Sequence, residues 1–160
     1  MGFRSPSLTP THRGYDTYLG YYHMEEEYYN HTFSHTACGA ESIFLDFSNS
    51  TTDQIRPAPG FKGVYSPYVF AAEAQRLMIR HKQLYSSQPV FFYLPFQSVH
   101  GPYEAPDSYV DMYAKTISTQ ARRVHQGMVT ALDDAVGNLT ATFKSTGLYD
   151  NSLIWFSSDK

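Results

Sequence analysis

Apolar and polar positions divide the chain into a few readable elements. The densest apolar stretch is 90–96, Val-Phe-Phe-Tyr-Leu-Pro-Phe, and it closes in a polar turn carrying His100. A short run that is apolar throughout and bounded by turn signals predicts a strand buried on both faces, as in parallel sheets. Pro95 has no backbone donor, so pairing is expected to end near Leu94. A second such run, Leu153-Ile154-Trp155-Phe156, predicts another buried strand leading into Ser157-Ser158-Asp159. Between them Val124, Met128, Leu132, Val136, Leu139 and Phe143 recur at spacings of three and four, which predicts one helix over about 119–146. Gly147 is placed to cap its C-terminus, with Lys144 in the last turn. Strand, helix, strand in that order predicts a βαβ unit with parallel strands and a right-handed crossover. His100 and Asp159 would then both leave the carboxyl edge of one sheet, where open α/β sheets hold their ligands.

Upstream the pattern is weaker. Ser66-Pro67 opens a helix through the strong helix formers of 71–80, with Val69, Ala72, Leu77 and Ile79 expected on its buried side. Arg80, His81 and Lys82 suit the negative end of its dipole. Residues 43–47 predict a short strand and 13–22 a short strand or turn, while 1–13 and 48–63 read as loops. Glu25-Glu26-Glu27 reads as a solvated face. His31, His35 and Cys38 are spaced to share one face of a helix. They lack a nearby fourth ligand and lie among Asn, Ser and Thr, which favours structural roles over a metal site. Asp133 and Asp134 are adjacent on the long helix, about 100° apart, and are expected to be mostly solvated. Met78 and Met128 are expected to fill gaps in the core.

Length allows one domain at most. The net charge of −3 gives no case for a nucleic-acid partner. No apolar run reaches the roughly 20 residues a membrane span needs, and Met1 is followed by Gly-Phe-Arg-Ser-Pro rather than the apolar core of a signal peptide. Asn30, Asn49 and Asn138 each stand two residues before a threonine as N-glycosylation acceptors. Three sequons in so short a chain tilt toward the secretory pathway, and so toward residues missing upstream. Cys38 is the single cysteine, either free or with its partner outside this sequence.

A histidine and an aspartate at one sheet edge could be a general acid/base pair, an ion pair or part of a metal site. A hydrogen-bonded structural histidine and a helix-capping aspartate are the blander alternatives. Carboxylate oxygen suits hard cations such as Ca²⁺ or Mg²⁺.

Four pieces together carry a family resemblance: His12-Arg13-Gly14-Tyr15-Asp16-Thr17-Tyr18-Leu19-Gly20-Tyr21; Phe92-Tyr93-Leu94 with Gln97-Ser98-Val99-His100-Gly101-Pro102; Gly127-Met128-Val129 with Asp133-Asp134-Ala135-Val136-Gly137-Asn138; and Leu153-Ile154-Trp155-Phe156-Ser157-Ser158-Asp159. In order and spacing they resemble arylsulfatase B-type sulfatases over nearly the whole chain. The resemblance implies an alkaline-phosphatase-like α/β sandwich with a mainly parallel central sheet. It implies hydrolysis of sulfate esters, with sulfated sugars (sulfated N-acetylgalactosamine among them) or aryl sulfates as substrates. It implies a formylglycine nucleophile made from a cysteine, a Ca²⁺ ion that binds the sulfate, and a lysosomal or secreted location. His100 matches the histidine that contacts the sulfate and helps protonate the leaving alcohol; Asp159 matches a calcium-binding aspartate. The family's C-x-P-S-R nucleophile motif, its early aspartate pair and its active-site lysines find no match here. Lys160 follows Asp159 where the family continues Asn-Gly-Gly, and an ammonium there would repel the cation. Residues 1–160 are therefore expected to be the middle part of a sulfatase N-terminal catalytic domain, truncated at both ends and inactive alone. The contrasting expectation is a non-catalytic, truncated sulfatase-like protein that binds a sulfated glycan or a partner.

Overall fold

The computed structural model describes residues 5–23, 25–37 and 40–158. Two helices and the segments laid across them form its body. The first helix, α1 (Ser66–Leu84), opens with Pro67 in its first turn, where a missing backbone N–H costs nothing. The long helix predicted from the apolar stripe is α3 (Gln120–Ser145), and a one-turn helix, α2 (Asp107–Asp111), precedes it. Past Thr146, Gly147 adopts φ +69°, a left-handed conformation that lets its N–H reach the Lys144 carbonyl at 3.1 Å and the Leu148 N–H the Phe143 carbonyl at 3.0 Å. Two of the carbonyls left over at the helix end are thereby satisfied.

The helices meet along small residues. Ala71, Ala74 and Met78 of α1 pack on Ala135 and Leu139 of α3, with Phe143 and Leu148 at the margin. Buried positions on α3 are Gly127, Met128, Ala131, Ala135, Leu139 and Thr142. The expected stripe is thus turned slightly, because alanines at the contact allow close approach while Leu132 and Val136 stand at its flank. On α1 the correction is larger. Phe70, Ala71, Ala74 and Met78 face inward beside Val69, whereas Ala72 is exposed, Leu77 is half-buried and Ile79 is 45% exposed. Positions 70, 74 and 78 keep the helical period that 72, 77 and 79 break.

The sheets differ from expectation. Strand β1 (Thr17–Gly20) pairs antiparallel with β4 (Ser48–Thr51), and β4 with β5 (Gln54–Pro57). A separate antiparallel hairpin joins β2 (Thr32–Ala37) to β3 (Ala40–Leu45). The sheets described are antiparallel, and the expected mainly parallel sheet is not among them. Neither 90–96 nor 153–156 joins a ladder. A strand exists only with a ladder partner, and among the described residues neither run has one. The 90–96 run still alternates as a strand does. Phe92, Leu94 and Phe96 pack on the α1/α3 cluster, while Phe91 and Tyr93 are 75% and 69% exposed. Leu94 and Phe96 also close a second cluster of Phe47, Ala58, Val69 and Phe70. Strands β4 and β5 fall in the stretch expected to be loop; Ser48-Asn49-Ser50-Thr51 has no apolar alternation to betray it. The spacing of His31 and His35 belongs to a strand entry rather than a helix, and Cys38 lies outside the described residues.

Candidate site at the His100 turn

The apolar run delivers the chain to Gln97, and from there to His100, through a set of buried polar contacts. Gln97 is 6% exposed. Its side-chain oxygen accepts from the Ser66 hydroxyl at the start of α1 at 2.6 Å, and its amide nitrogen donates to the main-chain carbonyl of Glu26. The Tyr28 hydroxyl lies 3.1 Å from the Gln97 carbonyl and 2.9 Å from the His100 carbonyl, so one donor bridges both ends of the turn. The His100 N–H closes the turn on the Gln97 carbonyl at 3.0 Å. Burial pushes the Tyr28 phenol well up, which keeps its proton in place.

Behind the turn, Tyr28 and Tyr65 stack with ring centroids 5.3 Å apart. Glu104 ties the far side: its carboxylate accepts from the Tyr28 N–H at 2.7 Å and its carbonyl from the Tyr65 hydroxyl at 2.9 Å. The turn is therefore held from α1, from 26–28 and from the loop beyond it.

His100 itself is exposed. Its Nδ1 lies 2.8 Å from the Gly101 carbonyl, which can only accept, so Nδ1 carries a hydrogen and donates it. That leaves Nε2 as the nitrogen free to take up or pass on a proton at the surface. Asp159, the other expected site residue, lies outside the described residues, so the pairing of the two at one sheet edge stays an expectation. The sequon asparagines Asn30, Asn49 and Asn138 are all exposed; Asn30 also donates to the Glu27 carboxylate at 2.9 Å.

Among the described residues no group of three His, Cys, Asp or Glu side chains is close enough to hold a metal ion. These residues do not by themselves make a calcium site.

Glu26 overturns the expected solvated face: it is 1% exposed. Its Oε1 lies 3.3 Å from Nδ1 of His31, and both side chains are fully enclosed. Apart from this contact with each other, neither Glu26 oxygen nor His31 Nδ1 has a hydrogen-bond partner among the described residues. Burial pushes the Glu26 carboxyl up to about 7, against the pull of His31 and with a push from Asp46. A charge run hid this residue. The signal that could have found it is parity: Glu26 alternates with Tyr28, both buried, while Glu25 lies outside. Gln97 went unnoticed for a similar reason, being a polar residue at the end of an apolar run.

Comparison with known proteins bears on what this turn belongs to. The sulfatase family pattern matches residues 6–160. Arylsulfatase J of Mus musculus is 32% identical over 99% of this chain and 25% of its own length. The uncharacterized sulfatase YdeN of Escherichia coli is 27% identical over 98% of this chain and 24% of its own. A Formosa agariphila protein named ulvan-active sulfatase is 28% identical over 67% of this chain and 24% of its own. The chain thus spans about a quarter of the length of these curated relatives. In three dimensions it superposes on the crystal structure of Ps i-CgsB with a TM-score of 0.73 at 23% identity, covering 92% of this chain and 32% of that one. The same protein in complex with k-i-k-neocarrahexaose gives 0.74 at 24% identity. The α/β fold is shared with part of that larger chain, and the chain belongs to the sulfatase family.

Proposed function

We propose that this chain is the middle part of a sulfatase N-terminal catalytic domain of arylsulfatase B type, on an alkaline-phosphatase-like α/β scaffold. The whole protein would be a sulfuric ester hydrolase acting on sulfated sugars. The observation that carries the reading is the His100 turn: a surface imidazole with one nitrogen committed to a carbonyl, on a loop clamped by buried groups, inside a family match over nearly all the chain. The carbohydrate reading draws support from the ulvan named for one relative and the oligosaccharide held by Ps i-CgsB.

In this proposal His100 is the general acid. With Nδ1–H donating to Gly101, the imidazolium releases its proton from Nε2 to the departing alcohol oxygen as the bond from that oxygen to sulfur breaks. The formylglycine nucleophile would come from another part of the longer protein. Asp159 would be this chain's contribution to a Ca²⁺ site whose other ligands lie elsewhere. Asn30, Asn49 and Asn138, all exposed, are the proposed glycosylation sites, consistent with a lysosomal or secreted protein.

The test is His100→Ala in the full-length protein, assayed on two sulfate esters. With an alkyl or sugar sulfate, whose leaving alkoxide needs a proton, kcat should fall about 10²–10⁴-fold. With an activated aryl sulfate, whose phenolate leaves unaided, the loss should be much smaller. Equal losses on both, or none, would remove His100 from the acid role.

A further inference from the structure

We propose that the buried Glu26–His31 pair holds one shared proton and acts as the positioning element for the His100 turn. This rests on the reading of His100 as proton donor. The proton count follows from geometry. His31 Nε2 lies 3.0 Å from the carbonyl oxygens of both Phe61 and Val64, and carbonyls only accept, so Nε2 carries a hydrogen permanently. Nδ1 then faces Glu26 Oε1 at 3.3 Å with no other partner among the described residues. One further proton, on the carboxyl or on Nδ1, makes the pair neutral overall. Without it a carboxylate would face a nitrogen lone pair in a fully enclosed site, with no other partner among the described residues.

The connection to the turn is direct. The Glu26 main-chain carbonyl accepts from the Gln97 side chain, and Tyr28, two residues on, donates to the Gln97 and His100 carbonyls. Displacing 26–28 therefore loosens both ends of the turn. His31 is held equally firmly on its own side: its ring lies 4.5 Å from that of Phe47, and its carbonyl accepts from the Asp46 N–H at 2.9 Å.

Of the other titratable groups around Glu26, Asp46 pushes the same way. Asp46 adds negative charge nearby, although its own carboxylate is engaged by His23 Nδ1 at 2.8 Å and by the N–H groups of Tyr22 and His23. Tyr18 and Tyr21 face Glu26 as neutral phenols, and burial pushes both upward, with Glu26 adding to the rise. The Glu26 carboxyl binds its proton more tightly in the folded chain than at its ordinary value of 4.5. Its contribution to stability is therefore complete below about 4.5 and is lost as pH rises through about 7. The turn should be firm in acid and loosen toward alkaline pH.

The experiment follows hydrogen exchange at the His100 amide in the full-length protein, corrected for the intrinsic pH dependence of exchange, in the native protein and in Glu26→Gln. Above about pH 7 the native opening equilibrium should grow by up to about tenfold per pH unit, and in Glu26→Gln that growth should vanish. In parallel, the alkaline fall of kcat, with KM unchanged, should move in the variant. The same pH slope in both proteins overturns the proposal. Should Glu26→Gln not fold, the native protein decides alone: the carboxyl titration of Glu26, read by carbon NMR, must share its midpoint with the opening of the His100 amide, and separate midpoints overturn the linkage. Retention of full activity by His100→Ala would end the catalytic reading while leaving the exchange result standing, so the two failures are distinguishable.

Discussion

The runs 90–96 and 153–156 have nearly the same character, yet the structure treats them differently. One lies across α1 and α3 with Phe92, Leu94 and Phe96 turned inward; the other leaves Leu153, Ile154, Trp155 and Phe156 at 94%, 55%, 85% and 75% exposure. The difference is not in composition but in what lies alongside. The first run has two helices from the same chain beneath one face. Its other face, with Phe91 and Tyr93, is as bare as the second run. Each bare surface is apolar to a degree that folded proteins seldom leave to water. In the proposed longer sulfatase domain, these faces would pack against neighbouring strands; the relatives are about four times as long as this chain.

Three substitutions rank the contrast, measured by denaturant unfolding of the 160-residue chain. Leu139→Ala empties the α1/α3 contact, where Leu139 is 7% exposed, and should cost about 3 kcal/mol. Leu94→Ala touches two clusters from the covered face of the first run and should cost about 2 kcal/mol, since the side chain is only partly buried. Trp155→Ser should change stability by less than about 0.5 kcal/mol here and improve solubility. The same change in the full-length protein should cost about 3 kcal/mol or more. A large effect of Trp155→Ser in the short chain would break the comparison, as it would show that the run already has a partner.

How much could be read in advance follows the same line. Helix α3 was legible to within a residue at each end because its stripe is long and its glycine cap is local chemistry. The core side of α1 was misassigned because its three alanine and methionine positions give little hydrophobic contrast with their neighbours. Strands β4 and β5 were hidden by polar composition. The parallel pairing expected of 90–96 and 153–156 depends on segments far away in sequence, which local pattern does not specify. At the candidate site, the exposed turn carrying His100 was legible from its place after an apolar run. Its supports were not: Glu26 sat inside a charge run, and the roles of Gln97 and Tyr28 arise from contacts across some seventy residues of chain.

Trp155 is the single tryptophan of the sequence and stands in the exposed run 153–156. Its indole fluorescence is therefore a built-in optical reporter. It should emit like a free indole and be open to collisional quenchers in this chain, then shift to the blue and become shielded once adjoining strands close over it. Assembly of the proposed longer domain could be followed in real time without attaching any label.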